Sequence, residues 1–116
     1  MTENHIDQTT LAALLDSIGG DREFLAELIE TFFQDAPAQF SAMHAALADG
    51  NTESFRRAAH SLKSNAASFG ATTLAALNKQ LEDLGKAGDL LSAADLLSEA
   101  ETEYARVRSA LEKVLK

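Results

Sequence analysis

The sequence has no cysteine and no tryptophan, and its 116 residues include one proline and six glycines. Without cysteine there are no disulfide bonds, no thiol chemistry and no zinc–thiolate sites. The scarcity of proline, glycine and β-branched residues favours helices over strands and long loops. A chain of this length is expected to form a single domain over residues 1–116, with a core made mainly of leucine and alanine.

Long apolar runs are also missing. The N-terminus is polar and acidic, unlike a signal peptide, and no stretch approaches the ~20 apolar residues of a membrane span. Glycine-rich phosphate loops are absent, so no ATP site is expected. No pair of residues has the His-x-x-x-His or Glu-x-x-His spacing of helical metal ligands, and no metal site is expected. We expect a soluble cytoplasmic protein that does not contact membranes.

The net charge is −8, which argues against nucleic acid as a partner because phosphate backbones attract basic surfaces. Acidic residues are absent from 54–81, where four basic residues give a charge of +4: Arg56, Arg57, Lys63 and Lys79. The remainder, with six basic and eighteen acidic residues, carries −12. A basic patch on an acidic molecule suits an acidic partner surface or a small anion, and chance clustering is the alternative.

The apolar spacing predicts an all-α protein, an antiparallel four-helix bundle with a short additional N-terminal helix as a lid over one end. Pro37 falls inside the longest helix; because the apolar period resumes after it, one kinked helix is favoured over two separate ones. The predicted elements are a disordered tail over 1–6, a helix from Asp7 or Thr9 to Ile18, a helix over about 21–49, a third from Asn51 or Thr52 to Phe69, a fourth from Thr72 or Thr73 towards Gly88, and a fifth starting at Asp89 or Ser92.

The third helix directs a histidine outwards. Its buried stripe recurs at steps of four and three: Phe55, Ala59, Leu62, Ala66 and Phe69. At ~100° per residue, His60 lies about 140° from the middle of that stripe, with Arg56 and Lys63 one turn before and after it. The other two histidines, His5 and His44, are interpreted as bystanders.

His60 has surroundings that suit covalent phosphate chemistry. Neutral imidazole is a good nucleophile near pH 7, and nearby cations would stabilise a phosphoryl group on it. Short side chains around it would let another protein's active site approach closely: Ser61, Ser64, Ala67, Ser68 and Ala71. From these features alone, an ordinary exposed surface is the alternative.

The stretch Ala-His-Ser-Leu-Lys-Ser-Asn-Ala-Ala-Ser-Phe-Gly, residues 59–70, resembles the signature of histidine-containing phosphotransfer (HPt) domains. The resemblance covers essentially the whole chain. It extends to Gly20-Asp21, to Phe33 and Asp35-Ala36-Pro37, to Gly50, to Arg57-Ala58-Ala59, to Leu81-Glu82 and Leu84-Gly85, to Gly88-Asp89-Leu90 and to Tyr104 with the arginines after it.

The resemblance implies roles for individual residues. His60 corresponds to the phosphorylated histidine, Lys63 to the lysine that steadies the phosphoryl group, and Gly70 to the glycine closing the helix. Glu82 falls where many members place a Gln or Glu that hydrogen-bonds the other ring nitrogen. Ser64 stands where glycine is commonest in the family. The resemblance also implies that Pro37 kinks one long helix.

It further implies a phosphorelay intermediate. His60 would accept a phosphoryl group from the aspartate of one receiver domain and pass it to the aspartate of another. The chain would be a monomeric carrier without kinase activity of its own. Its partners would be response-regulator receiver domains, which supply Mg²⁺, and a hybrid histidine kinase. Arg56, Arg57, Lys79 and the small residues around His60 would form the docking surface.

Two alternatives to this function remain. One is the phospho-accepting domain of a chemotaxis-type histidine kinase, and the other is a helical interaction module that is never phosphorylated. The start at Met1 favours a free-standing protein, and a segment excised from a hybrid sensor kinase is the alternative.

Overall fold

The computed structural model describes residues 5–116, and this part of the chain forms five helices joined by short turns. The bounds agree with the sequence prediction to within a few residues, and Pro37 lies inside one continuous helix. The helices are α1 (Gln8–Ser17), α2 (Arg22–Asp49), α3 (Thr52–Ser68), α4 (Thr72–Ala87) and α5 (Ala93–Val114).

Side-chain caps determine where the first three helices begin. Asp21 accepts a hydrogen bond from the backbone N–H of Phe24 at 3.0 Å, and Asn51 accepts one from Ser54 at 3.0 Å. The start of α5 is different, because the Asp89 carboxylate accepts from the backbone N–H and the hydroxyl of Ser92. Asp89 therefore caps the preceding turn, and α5 begins after it.

The four long helices form the bundle, and α3 and α4 approach each other especially closely. Gly85 of α4 faces the backbone of α3, where a Cβ atom at this position would lie 3.1 Å from the N and Cα atoms of Arg56. Only a glycine permits this approach without a shift of one helix. The close packing brings the α4 side chains that precede Gly85 up to the exposed face of α3.

The core is aliphatic for most of its length and contains one aromatic cluster. Phe32 and Phe40 of α2 pack against Tyr104 of α5, with ring centroids 5.8 and 5.7 Å apart. Phe32 also contacts Phe69 after α3, at 5.1 Å. Among the helices described, none is long and apolar enough to span a membrane.

The N-terminal segment differs from the prediction of a tail over residues 1–6. Ile6 is only 2% exposed and joins the core. The Nδ1 atom of His5 lies 2.8 Å from Oε2 of the buried Glu103, and the backbone N–H of Asp7 donates to the carbonyl of Gly70 at 2.7 Å. The tail prediction is therefore wrong for residues 5 and 6, and residues 1–4 lie outside the described part. A single apolar residue among polar ones carries no periodic signal, so its burial was not predictable from the pattern.

Candidate functional site

His60 lies near the middle of α3 with 54% of its side chain exposed. The predicted stripe behind it is buried, with Phe55, Ala59, Leu62 and Ala66 completely inaccessible to solvent. The outward orientation predicted from helical spacing is confirmed. Arg56 and Lys63 lie one turn to either side and are half-buried.

A buried carboxylate from α4 joins His60 to Lys63. Oε2 of Glu82 lies 2.7 Å from Nδ1 of His60, and the Lys63 ammonium donates to Oε1 of the same carboxylate at 2.8 Å. The Glu82 side chain is only 3% exposed. One carboxylate therefore has two partners on the neighbouring helix, three residues apart along one face.

This arrangement determines the protonation of the site. The ammonium of Lys63, assisted by the hydrogen bond to His60 and opposed by burial, lowers the pKa of Glu82 to about 2. Glu82 is therefore ionised at neutral pH and can only accept hydrogen bonds. Nδ1 of His60 must carry the proton of this hydrogen bond, which leaves the lone pair of a neutral ring on Nε2, at the edge facing away from Glu82.

The resemblance implied the contact between Glu82 and His60, but it did not imply that Lys63 would share the carboxylate. The sequence did contain one indication that Glu82 has a charged partner. Glu82 directly follows Leu81 and precedes Gly85 by three residues, on the face of α4 that packs against the bundle. A carboxylate at such a position needs a charged partner, because unpaired burial is costly.

The basic segment is less positive in the fold than along the sequence. Arg56 pairs with Glu53 at 2.6 Å, and Lys79 pairs with Asp83 at 3.0 Å. With the lysine bound to Glu82, three of the four cations have acidic partners that lie just outside the acid-free segment. Arg57 forms no ion pair with any described residue and is exposed. The linear count missed this because two of these pairs join helical neighbours across the ends of the segment, and the third joins α3 to α4.

The small residues predicted around His60 form a surface of low relief. Ser64, Ala67 and Ser68 are exposed, and Ser61 is half-buried. The hydroxyl of Ser68 donates to the carbonyl of Ser64 at 3.1 Å and so turns back onto its own helix. Ala71 is the exception, because it is fully buried at the start of α4 and cannot belong to this surface.

A groove that the sequence did not predict adjoins this surface. It has a volume of about 260 Å³ and lies between α1, α2 and α3. Its apolar lining and polar rim come from Leu14, Leu28, Phe32, Phe69, Thr31, Asp35, Asn65 and Ser68. Phe24, one turn before Leu28 on the same helix, is 43% exposed.

The other two histidines contact glutamates that lie away from His60. Nε2 of His44 lies 2.9 Å from Oε1 of Glu101 and links α2 to α5 at the surface. His5 pairs with Glu103 at the N-terminal segment. Neither lies in the site formed by His60, Lys63 and Glu82.

His60 and His44 are equally exposed, but of these two only His60 is held by a buried carboxylate, in a helical bundle of the kind expected from the resemblance to phosphotransfer domains. The family described as "Hpt domain" matches residues 27–110, and the chain belongs to this family. It therefore has a phosphotransfer role in phosphorelays. The predicted all-α bundle and the resemblance to HPt domains are both confirmed.

A solved structure supports the same fold. The chain is similar to the crystal structure of histidine-containing phosphotransfer protein B (HptB) from Pseudomonas aeruginosa PAO1, with a TM-score of 0.88 and 31% sequence identity. The similarity covers 97% of this chain and 95% of the other. A comparison with curated proteins gives no match.

Proposed function

We propose that His60 is the phosphoryl acceptor of a phosphorelay, taking the group from a receiver-domain aspartate and passing it to a second receiver. The observation that carries this proposal is the hydrogen bond from Nδ1 to the ionised Glu82. It selects the tautomer in which Nε2 is the nucleophile, on a side chain that is more than half exposed.

The transfer needs little from this chain beyond position and charge. Nε2 attacks the phosphorus of the aspartyl phosphate in line with the leaving carboxylate. The proton on Nδ1 stays with the hydrogen bond to Glu82, so no separate base is required. Mg²⁺ and the acidic pocket belong to the receiver in this proposal, and the chain acts as a carrier rather than a kinase.

The surroundings of His60 suit the docking of such a partner. The low surface at Ser64, Ala67 and Ser68 gives a receiver's pocket room to reach the imidazole. Arg57, which pairs with no described residue, and the surface-exposed Lys79 offer positive charge to an acidic pocket, although Lys79 already has Asp83 beside it. The adjacent groove supplies the apolar contact area that a transient complex needs.

The test is phosphorylation of the wild type and of His60→Gln by phosphorylated receivers. We expect complete loss of acid-labile label in His60→Gln with an unchanged helical spectrum, because the side chain lies outside the core. His44→Gln is the matched control, since His44 is equally exposed and also bonded to a glutamate on another helix. Label retained in His60→Gln, or lost equally in His44→Gln, would refute the assignment.

A parallel incubation separates the alternatives. Wild-type chain is incubated either with phosphorylated receivers or with a chemotaxis-type kinase core and ATP. Labelling by receivers, with return of the label to a second receiver, is the expected result. Labelling only by the kinase core would identify a kinase substrate domain, and no labelling in either arm would favour a non-phosphorylated interaction module.

A further inference from the structure

We infer that Lys63, bound to Glu82 before phosphorylation, is afterwards shared between Glu82 and the phosphoryl group, so that Glu82 limits the lifetime of phosphorylated His60. The inference rests on the proposed function, because it requires His60 to carry phosphate. It concerns the competition between two anions for one lysine. Glu82 is a positioning residue here, since it contacts neither the phosphoryl group nor Nε2.

The two anions lie on opposite edges of the imidazole. Glu82 occupies the Nδ1 edge at 2.7 Å, and a phosphoryl group on Nε2 projects from the other edge into solvent. The Lys63 ammonium is on the Glu82 side, 2.8 Å from Oε1. To donate to a phosphoryl oxygen, the lysine must leave this contact and move along its own flexible stem, which is partly exposed.

Leaving Glu82 is unfavourable for a structural reason. The carboxylate is 3% exposed, so water has little access to the oxygen that the lysine gives up. Its remaining partner is the Nδ1–H of His60, which binds the other oxygen. A buried charge that loses one of two partners is destabilised, and this opposes the movement of Lys63 to the phosphoryl group.

The chemistry of the transfer balances without any further group. As the N–P bond forms from the Nε2 lone pair, the P–O bond of the aspartyl phosphate breaks and the receiver carboxylate takes its electron pair. The Nδ1 proton stays on the ring, which acquires a positive charge opposite the Glu82 carboxylate. In the second transfer a carboxylate oxygen attacks phosphorus, the N–P electrons return to Nε2, and the ring leaves in its neutral form.

The consequence is a phosphohistidine that is kept reactive. A lysine that remained on the phosphoryl group would neutralise part of its charge and slow its loss. By holding Lys63 back, Glu82 favours onward transfer over storage. This predicts that removing the charge of Glu82 lengthens the lifetime of the phosphorylated state through Lys63.

The experiment compares the phosphohistidine half-life at pH 8 in four backgrounds after labelling with phosphoramidate: wild type, Glu82→Gln, Lys63→Met and the double variant. Glutamine keeps an oxygen for the Nδ1–H but does not attract an ammonium. We expect Glu82→Gln to lengthen the half-life about three- to tenfold, and to change it less than twofold when Lys63 is already methionine. Asp83→Asn is the matched control. Asp83 is next to Glu82 in the sequence and pairs with Lys79, not with His60, so its replacement frees Lys79 and should leave the half-life unchanged.

Each outcome is decisive. An unchanged or shortened half-life in Glu82→Gln overturns the inference. An equal lengthening with and without Lys63 also overturns it, because Glu82 would then act on the ring alone. Failure of wild-type His60 to take any label at all, by phosphoramidate or by receivers, would instead refute the proposed function.

A second measurement uses the wild type and does not depend on how the variants fold. The ¹³C and ¹H signals of the Lys63 side-chain terminus are followed by NMR before and after phosphorylation, with Lys79 as the internal reference. Movement of the Lys63 signals without movement of Lys79 supports the sharing of Lys63. Unchanged Lys63 signals in fully phosphorylated protein contradict it.

Discussion

Glu82 is a charged residue on the buried side of a helix, and the two interactions it makes explain why it is tolerated there. Its oxygens bind Lys63 and His60 at 2.8 and 2.7 Å, so the cost of burial is offset by one ion pair and one hydrogen bond. The same contacts fix the tautomer of His60. A single residue therefore connects the stability of the bundle to the reactivity of its exposed histidine.

This connection predicts a pH dependence of stability. The folded-state pKa of Glu82 is lowered from 4.5 to about 2, so its contribution is complete above about pH 4.5 and is lost as the pH falls towards 2. Urea unfolding at pH 6 and pH 3 should show the wild type losing roughly 1–3 kcal/mol more than Glu82→Gln over this interval.

Glu101→Gln serves as the control for that comparison. Glu101 also bonds a histidine, but its side chain is 41% exposed and can be hydrated when its partner is lost. Its replacement should leave the pH dependence close to that of the wild type. Identical pH dependence in the wild type and Glu82→Gln would show that the buried bridge does not stabilise the fold.

At the scale of elements, some helix ends depend only on residues close in sequence, and others depend on distant contacts. Asp21 and Asn51 cap their helices as the sequence indicated, because capping depends only on near neighbours, and Pro37 lies inside one continuous helix. The turn between α3 and α4 depends on more distant contacts. Gly70 has a positive φ of 78° there, and it also packs against the backbone of Asp7 before α1.

Two glycine substitutions separate the cost of a positive φ from the cost of the contact with Asp7. A Cβ at Gly70 would lie 2.6 Å from the carbonyl oxygen of Asp7, whereas a Cβ at Gly50, with a similar φ of 68°, would meet nothing within 4 Å. We expect Gly50→Ala to cost about 1 kcal/mol, and Gly70→Ala about 2–4 kcal/mol because the N-terminal segment must also move. Urea unfolding of both variants measures the difference, and equal losses would mean that the contact with Asp7 yields freely.

At the scale of the whole molecule, the bundle includes more of the N-terminus than the pattern predicted. Ile6 fills the core beside α1, and hydrogen bonds on either side of it connect this segment to Gly70 and to Glu103 on α5. The segment thus joins helices that are far apart in sequence. Its contribution to stability comes from contacts that no local window of sequence contains.

The prediction at this scale compares two aliphatic residues of the same size. Ile6 is 2% exposed and Leu91 is 98% exposed. Ile6→Ala should lower the free energy of unfolding by about 2–4 kcal/mol, whereas Leu91→Ala should change it by less than about 0.5 kcal/mol. Thermal or urea unfolding tests both, and a loss at Ile6 no larger than at Leu91 would restore the original interpretation of a loose tail.

The sequence by itself determined the helices, the caps at Asp21 and Asn51 and the outward direction of His60, since each follows from periodicity and neighbours within about one turn. Only the tertiary structure decided that Lys63 and His60 share Glu82, which lies 19 and 22 positions further along the chain. That contact depends on the axial register of α3 and α4, and the close approach at Gly85 is part of what sets it. In the basic segment, the pairs of Arg56 with Glu53 and of Lys79 with Asp83 join neighbours within about one helical turn, whereas the pair of Lys63 with Glu82 depends on the packing of α3 against α4.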